Sequence, residues 1–250
     1  MSVVSEIERI KTNIANAYTE IENKGVITTA AKNSENLAST ISAIQTGGTG
    51  GGSGDEELIN SYIGLIDNSL NILVTKLPDG ITRIAPYTFY NRSNITDLSL
   101  PDSITSINNY AFYNCTRLNI DKLPDSLTTL GSYVFQYCNA LNIKVLPSGV
   151  TSIPTYCFQG SYSMTELTCL GNITNIENYS FYGCTEFSKL VLPNITSVPK
   201  LANKNALTST KIYSGTGYIF VPDTLVDSFK SASNWSNFAN VIKPISELGE

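Results

Sequence analysis

Histidine is absent from all 250 residues. That removes histidine-based triads, HExxH zinc sites and imidazole acid–base chemistry. Five cysteines are present, Cys115, Cys138, Cys157, Cys169 and Cys184, and no two form a CxxC pair. A thiol without a histidine partner makes a poor protease nucleophile, and isolated cysteines make a poor zinc site. Cys115, Cys138 and Cys184 fall in one 23-residue column, with Arg92 and Ser161 in its gaps. Such a column reads as a redox or metal ladder, or as a small, half-buried side chain of a repeating unit. The second reading is the one adopted. Glycoside hydrolysis needs two carboxylates converging in a cleft. Asp79, Asp102 and Asp125 instead recur in one Pro-Asp turn column, which makes them turn formers. No catalytic residue, metal ligand or cofactor is assigned.

Tyrosine is the residue type that remains. One column, Tyr87, Tyr110, Tyr133, Tyr156 and Tyr179, keeps a constant spacing to a following Phe and reads as part of the packing. A neighbouring set, Tyr90, Tyr113, Tyr137 and Tyr182, varies in position. It is the candidate ligand-binding set, since exposed aromatic rings stack on sugar faces and anchor proteins. Polar residues on the expected strands, such as Thr96, Asp97, Asn119, Lys144, Glu166 and Lys189, are further binding-face candidates.

The elements that must position these residues follow from a repeat. Leu-Pro pairs stand at Leu77, Leu100, Leu123, Leu146 and Leu192, with gaps of 23, 23, 23 and 46, and Cys169-Leu170 takes the place of the missing copy. The same step carries Ile81, Ile104, Leu127, Val150 and Ile173. It also carries Ile84, Ile107, Leu130, Ile153 and Ile176, and the column from Ile72 through Ile95, Leu118, Leu141 and Met164 to Phe187. A fixed step of this length predicts a β-rich α+β solenoid, whose stacked coils bury in common what no coil buries alone. Within a coil, Ile95-x-x-Leu98-x-Leu100 predicts a short parallel strand, and residues 110–114 a short helical or 3₁₀ turn.

The stretches LPDSITSINNYAFYNCTRL (100–118) and LIDNSLNILVTKLPDGITRI (65–84) resemble the BspA-like leucine-rich repeat family over about 65–216. The better-known LxxLxLxxN pattern is departed from, because Pro follows the last Leu and no Asn column occurs. The resemblance implies binding and adhesion, with no single activity.

The ends depart from the repeat. After Thr216, Tyr218–Val221 is expected as the last strand. Pro222-Asp223 then opens a helix bearing Leu225, Val226 and Phe229. Trp235, Phe238 and Ile242 continue at helical spacing up to Pro244, so that 217–250 forms a helical cap on repeats 77–216. Residues 55–76, with Leu58, Tyr62 and Leu65 on one stripe, are read as the other cap and lead-in, and GGTGGGSG (47–54) as a flexible linker. In 1–46, Ile7, Ile10, Ile14, Tyr18 and Ile21 predict one amphipathic helix, and Leu37, Ile41 and Ile44 a second. Two helices of this size have no core of their own and need a partner or copies of themselves.

The pattern over 7–44 resembles N-terminal segments of tail and baseplate-associated proteins of phages of Gram-positive hosts. That resemblance implies an attachment segment that docks on other virion proteins. Together the two resemblances lead to a non-catalytic virion protein of the tail, made in the host cytoplasm and homo-oligomeric. Its repeats would contact a carbohydrate or protein receptor on the host surface. The alternative is a bacterial surface adhesin or protein-interaction module of the same repeat family. A net charge of -5, from 16 Lys+Arg against 21 Asp+Glu, argues against nucleic acid as a partner. No apolar run is long enough to insert in a membrane, and the N-terminus has no secretory-signal pattern.

Overall fold

The computed structural model describes Leu77 and residues 81–249. The helices and attachment residues expected in 1–46, the linker 47–54, the cap and lead-in 55–76 and the Pro-Asp-Gly turn at 78–80 lie outside the described residues.

The described elements are short. In chain order they are β1 (Arg83–Ile84), β2 (Ser106–Ile107), β3 (Thr129–Leu130), β4 (Val145–Leu146), β5 (Ser152–Ile153), β6 (Glu166–Cys169), β7 (Asn175–Ile176), β8 (Lys189–Val191), β9 (Lys200–Leu201), β10 (Tyr218–Val221), α1 (Val226–Ser231) and β11 (Ile242–Pro244). All the strand pairs are parallel. β1-β2-β3 and β5-β7-β9 form two three-stranded sheets, and β11-β10-β8-β6-β4 a five-stranded one.

Register follows from burial. Ile84 lies opposite Ile107 and Ile107 opposite Leu130, each a whole coil further on. The inward residue of each strand is buried: Ile84, Ile107, Leu130, Ile153, Ile176 and Leu201 form one such column. A one-residue slip would turn every one of these side chains outward, so the apolar columns hold the pairing in place. The coils join through tight turns at the Leu-Pro pairs. Ile104, Leu127 and Val150 donate their amides to the carbonyls of Pro101, Pro124 and Pro147. The hydroxyls of Ser103 and Ser126 reach back one coil, donating to the carbonyls of Ile81 and Ile104. Asp102 and Asp125 sit exposed in these turns.

Two expectations are corrected. The strand expected at Ile95–Leu100 reduces to single bridge positions at Asp97 and Ser99, with Asp97 opposite Asn119. In the next coil Ile120 and Leu123 are buried while Asp121 and Lys122 both face outward. Two successive outward residues break the alternation, and the ladder stops there. At the C-terminal end, the segment after β10 is helical only in part. A 3₁₀ turn at Asp223–Leu225 leads into α1, and a second 3₁₀ stretch covers Trp235–Val241. Ile242, Lys243 and Pro244 then run extended as β11, paired with β10. β10 is therefore not the last strand. Its outer side attracts one more β-branched residue, Ile242, set opposite Ile219, and Pro244 ends the strand. Phe229 and Trp235 pack edge to face at 4.9 Å beneath this strand pair. The Trp235 indole donates to the Pro199 carbonyl at 2.7 Å.

Among the described residues, no helix is long and apolar enough to cross a membrane.

Candidate functional site: a tyrosine-faced turn

Between the two strand positions of each coil the chain makes a run of overlapping turns. In the first described coil, Thr88, Tyr90 and Arg92 donate their amides to the carbonyls of Ala85, Tyr87 and Phe89. The intervening amides, those of Tyr87, Phe89 and Asn91, leave the coil and bond to the carbonyls of Asn109, Ala111 and Tyr113 in the next. The same alternation holds in later coils. Phe112, Phe135 and Phe158 donate to Val134, Cys157 and Ser180, and Phe181 to Ala206. This replaces the helical or 3₁₀ turn expected at 110–114. A helix would spend every amide within the coil, whereas this turn spends only every second one and binds its neighbour with the rest.

The geometry requires positive φ. Tyr87, Tyr110, Tyr133, Tyr156 and Tyr179 all lie between +57° and +63°, at the third position of their turn. That is the φ sign a type II turn demands there, and Pro86 supplies the favoured second position in the first coil. For a side chain larger than Gly such a conformation costs about 1–2 kcal/mol. Four residues further on a second left-handed position recurs at Asn91, Asn114 and Tyr137, and is then taken over by Gly160 and Gly183.

What the strained residues gain is contact with one another. The rings of the Tyr87 column stack from coil to coil at 5.0, 4.4, 4.7 and 4.9 Å, with interplanar angles of 5° to 18°. Stacked pairs contribute about 0.5–1.5 kcal/mol beyond their buried area, which is of the same order as the strain. Tyr87 remains 57% exposed. The other four members are half-buried, so the column lies at the rim of the apolar core and reaches solvent.

The set Tyr90, Tyr113, Tyr137 and Tyr182 is divided between positions. Tyr90 and Tyr113 stack at 4.7 Å, and each leans against the first column, Tyr87–Tyr90 at 5.7 Å and Tyr110–Tyr113 at 5.8 Å. Together the four rings make one patch. Its next two places in the column belong to Gln136 and Gln159, which hydrogen-bond to each other, before Tyr182 returns against Tyr179. Tyr137 occupies the adjacent column. Its ring lies over Gly160, where any Cβ would collide with it. The phenols of Tyr110 and Tyr113 are pushed above the ordinary tyrosine value, chiefly by burial among these rings and then by neighbouring phenols, Tyr133 and Tyr90 respectively.

Beneath the tyrosines runs a sealed interior. Phe89, Phe112, Phe135, Phe158 and Phe181 stack at 5.0 to 5.8 Å and are fully buried. The cysteine column closes over them. Cys115, Cys138 and Cys184 donate their thiols to the carbonyls of Phe89, Phe112 and Phe158 at 2.9 to 3.0 Å. Ser161 makes the same bond to Phe135 with its hydroxyl. These positions, expected to be half-buried, are buried completely, and what they select is a small donor. Burial pushes the Cys115 and Cys184 thiols up to about 12. Ionisation is suppressed and with it nucleophilicity. Among the described residues, no group of three His, Cys, Asp or Glu side chains is placed to hold a metal ion.

The polar strand candidates lie apart from the tyrosines. Lys144, Glu166 and Lys189 form a surface triad, with Glu166 bonded at 3.4 Å to Lys144 and 2.6 Å to Lys189. The hydrogen bond from Lys189 leads the effects that hold the Glu166 carboxyl below its ordinary range. Asp97 and Asn119 border a cavity of about 390 Å³ over Leu98, Leu100 and Leu123, where the strands part.

A family model described as the BspA type leucine rich repeat region matches residues 69–212 in six copies. No curated protein sequence matches the chain. Solved structures with similar folds include a leucine-rich repeat protein from Bacteroides ovatus, at 22% identity and TM-score 0.43, covering 61% of this chain and 44% of that one. The chain thus spans less than half the length of that relative. The T. pallidum leucine rich repeat protein is 20% identical with TM-score 0.46, covering 65% of this chain and 84% of that one. A leucine rich cell surface protein from Faecalibacterium prausnitzii is 16% identical with TM-score 0.30, covering 70% of this chain and 60% of that one.

Proposed function

From the premise that the chain belongs to the BspA-type leucine-rich repeat family, we propose that it is a non-catalytic interaction module. In this reading its repeats form a solenoid of 23-residue units that meets a macromolecule on a cell surface through the tyrosine-faced turn. One observation carries this reading. The unit spends backbone strain at five successive tyrosines to hold their rings in an outward row, while the buried phenylalanines below already fill the core. The four-ring patch of Tyr87, Tyr90, Tyr110 and Tyr113 is its richest part, since aromatic rings with polar tips dominate contact energetics.

The test is cell binding by purified protein and by the double variant Tyr87→Ser/Tyr90→Ser, both exposed side chains. Retained thermal stability with at least tenfold weaker binding supports the reading. Unchanged binding by a folded variant overturns it.

A second reading concerns residues 1–46 and is favoured by the spacing of Ile7, Ile10, Ile14, Tyr18, Ile21, Leu37, Ile41 and Ile44, followed by the Gly-rich 47–54. There the segment docks on phage tail or baseplate proteins and assembles copies of the chain, with the repeats projecting from the virion toward a host receptor. Deleting 1–46 is then expected to abolish incorporation into particles and to lower the oligomeric state measured by light scattering. Normal incorporation of the truncated chain rules this out.

A further inference from the structure

A separate cavity of about 550 Å³ lies at the other end of the coil stack, on the outer side of the five-stranded sheet. Its base and wall come from β10: Phe220 is almost fully buried, while Tyr218 stands 46% exposed beside it, ring centroids 6.2 Å apart. Lys189 of β8 and Lys243 of β11 flank the two rings. The 3₁₀ turn Ile245–Glu247 and the two residues after it carry the chain past the opening, where Glu247 accepts from Lys243 at 2.9 Å. The Asp223 carboxylate fixes that turn by accepting the Ser246 amide at 3.2 Å.

The lining chemistry narrows the occupant. Both ammonium groups are already paired, Lys189 with Glu166 and Lys243 with Glu247, so the cavity does not present an uncompensated positive charge to an anion. Each still has donor hydrogens to spare. The hydroxyls of Ser188 and Thr216 give their hydrogens to the carbonyls of Thr165 and Lys211, which leaves oxygen lone pairs as acceptors. An extended peptide would have to add to a strand edge, and the edge at this end is β11, only three residues long and closed by Pro244, which has no amide to offer. The remaining ligand type has an apolar face for a phenol ring and neutral hydroxyls for a mixed set of donors and acceptors. The volume lies within the range of small-molecule pockets.

We infer that this cavity is a binding site for a neutral saccharide unit, with a pyranose ring stacked on Tyr218 and its hydroxyls shared between the Lys243–Glu247 pair and the Ser188 and Thr216 oxygens. The site is independent of the tyrosine-faced turn, because Tyr218 belongs to a strand and takes no part in the stacked rows. It gives the chain two contact surfaces of different chemistry.

The experiment is saturation-transfer NMR on the full chain with methyl glycosides of glucose, galactose, mannose and N-acetylglucosamine, and with methyl glucuronoside as the charged counterpart. At least one neutral glycoside is expected to receive saturation. Tyr218→Ala is expected to weaken its binding about tenfold, the scale of one lost aromatic contact. Tyr218→Phe retains binding, and Lys243→Met weakens it with the fold intact by circular dichroism. Tyr162→Ala, at an exposed ring outside both surfaces, leaves it unchanged. Should Tyr218→Ala fail to fold, Lys243→Met and Tyr218→Phe decide. The proposal is overturned if no neutral glycoside binds, if the glucuronoside is preferred, or if binding persists in folded Tyr218→Ala and Lys243→Met.

Discussion

Two aromatic rows run through the same turn, two residues apart, and they illustrate different physics. The Phe row, from Phe89 to Phe181, is fully buried, and none of its members has positive φ. The Tyr row, from Tyr87 to Tyr179, reaches solvent and carries a left-handed backbone in every copy. Burial holds the first row in place. The second is held by the amide ladder that demands its conformation, with the rings stacked on one another in partial return. The inner row is therefore expected to govern stability and the outer row recognition.

The largest expected effect is on the inner row. Phe135→Ala opens a cavity beneath two stacked neighbours and is expected to destabilise by about 3–5 kcal/mol in urea unfolding. A loss below about 1 kcal/mol would put the weight elsewhere. On the outer row the sign of one difference is diagnostic. Tyr133→Gly is expected to be more stable than Tyr133→Ala by about 1 kcal/mol, because Gly adopts the φ of +63° without strain. If Ala is the better replacement, strain is not what distinguishes the rows. The cysteine column sharpens the inner side. Cys138→Ser is expected to be tolerated better than Cys138→Ala by about 1 kcal/mol, since Ser161 already performs the same bond one coil on. Equal melting temperatures would show that only size is selected there.

The smallest effect belongs to the exposed triad. Glu166→Gln is expected to cost well under about 1 kcal/mol, since pairs this open to solvent contribute little. Its pH dependence has a definite sign. The folded carboxyl titrates below its ordinary 4.5, so the contribution is present above that value and fades as acid carries the pH down through the folded value. Melting curves of wild type and variant should converge at low pH and separate slightly at neutrality.

The columns could be read from sequence because stacking compels it. A buried residue such as Ile107 faces its counterparts Ile84 and Leu130 directly, so the chain must repeat its type at each step. The tyrosine conformation could not be read in this way. Tyr is not a residue type that announces positive φ, and the hint of a left-handed position comes from the neighbouring column, where Asn91, Asn114, Gly160 and Gly183 recur. β11 was hidden for another reason. Trp235, Phe238 and Ile242 suit a helical spacing as well as they suit a 3₁₀ stretch followed by a strand, and the choice rests on pairing with β10. The step itself lengthens near that end, where Asn175 pairs with Lys200 and Lys189 with Tyr218, so column counting loses its frame. The Tyr218 cavity, which lies past this change of step, has no signature in the columns. The sorting of Tyr90 and Tyr113 from Tyr137 needed coordinates, because a shift of one position in a turn of alternating handedness places a ring in a different column.

The alternation of amides in the turn has an evolutionary corollary. In the turn every second N–H points toward the following coil, while strand-end amides such as those of Asn108 and Gly131 point back to the preceding one, so the two sides of a unit differ and cannot be exchanged. A duplicated or deleted unit inserted in phase meets a matching surface at both joints. Such arrays can lengthen or shorten by whole units, with the junction chemistry conserved, while tyrosines accumulate or thin out along the rim one copy at a time.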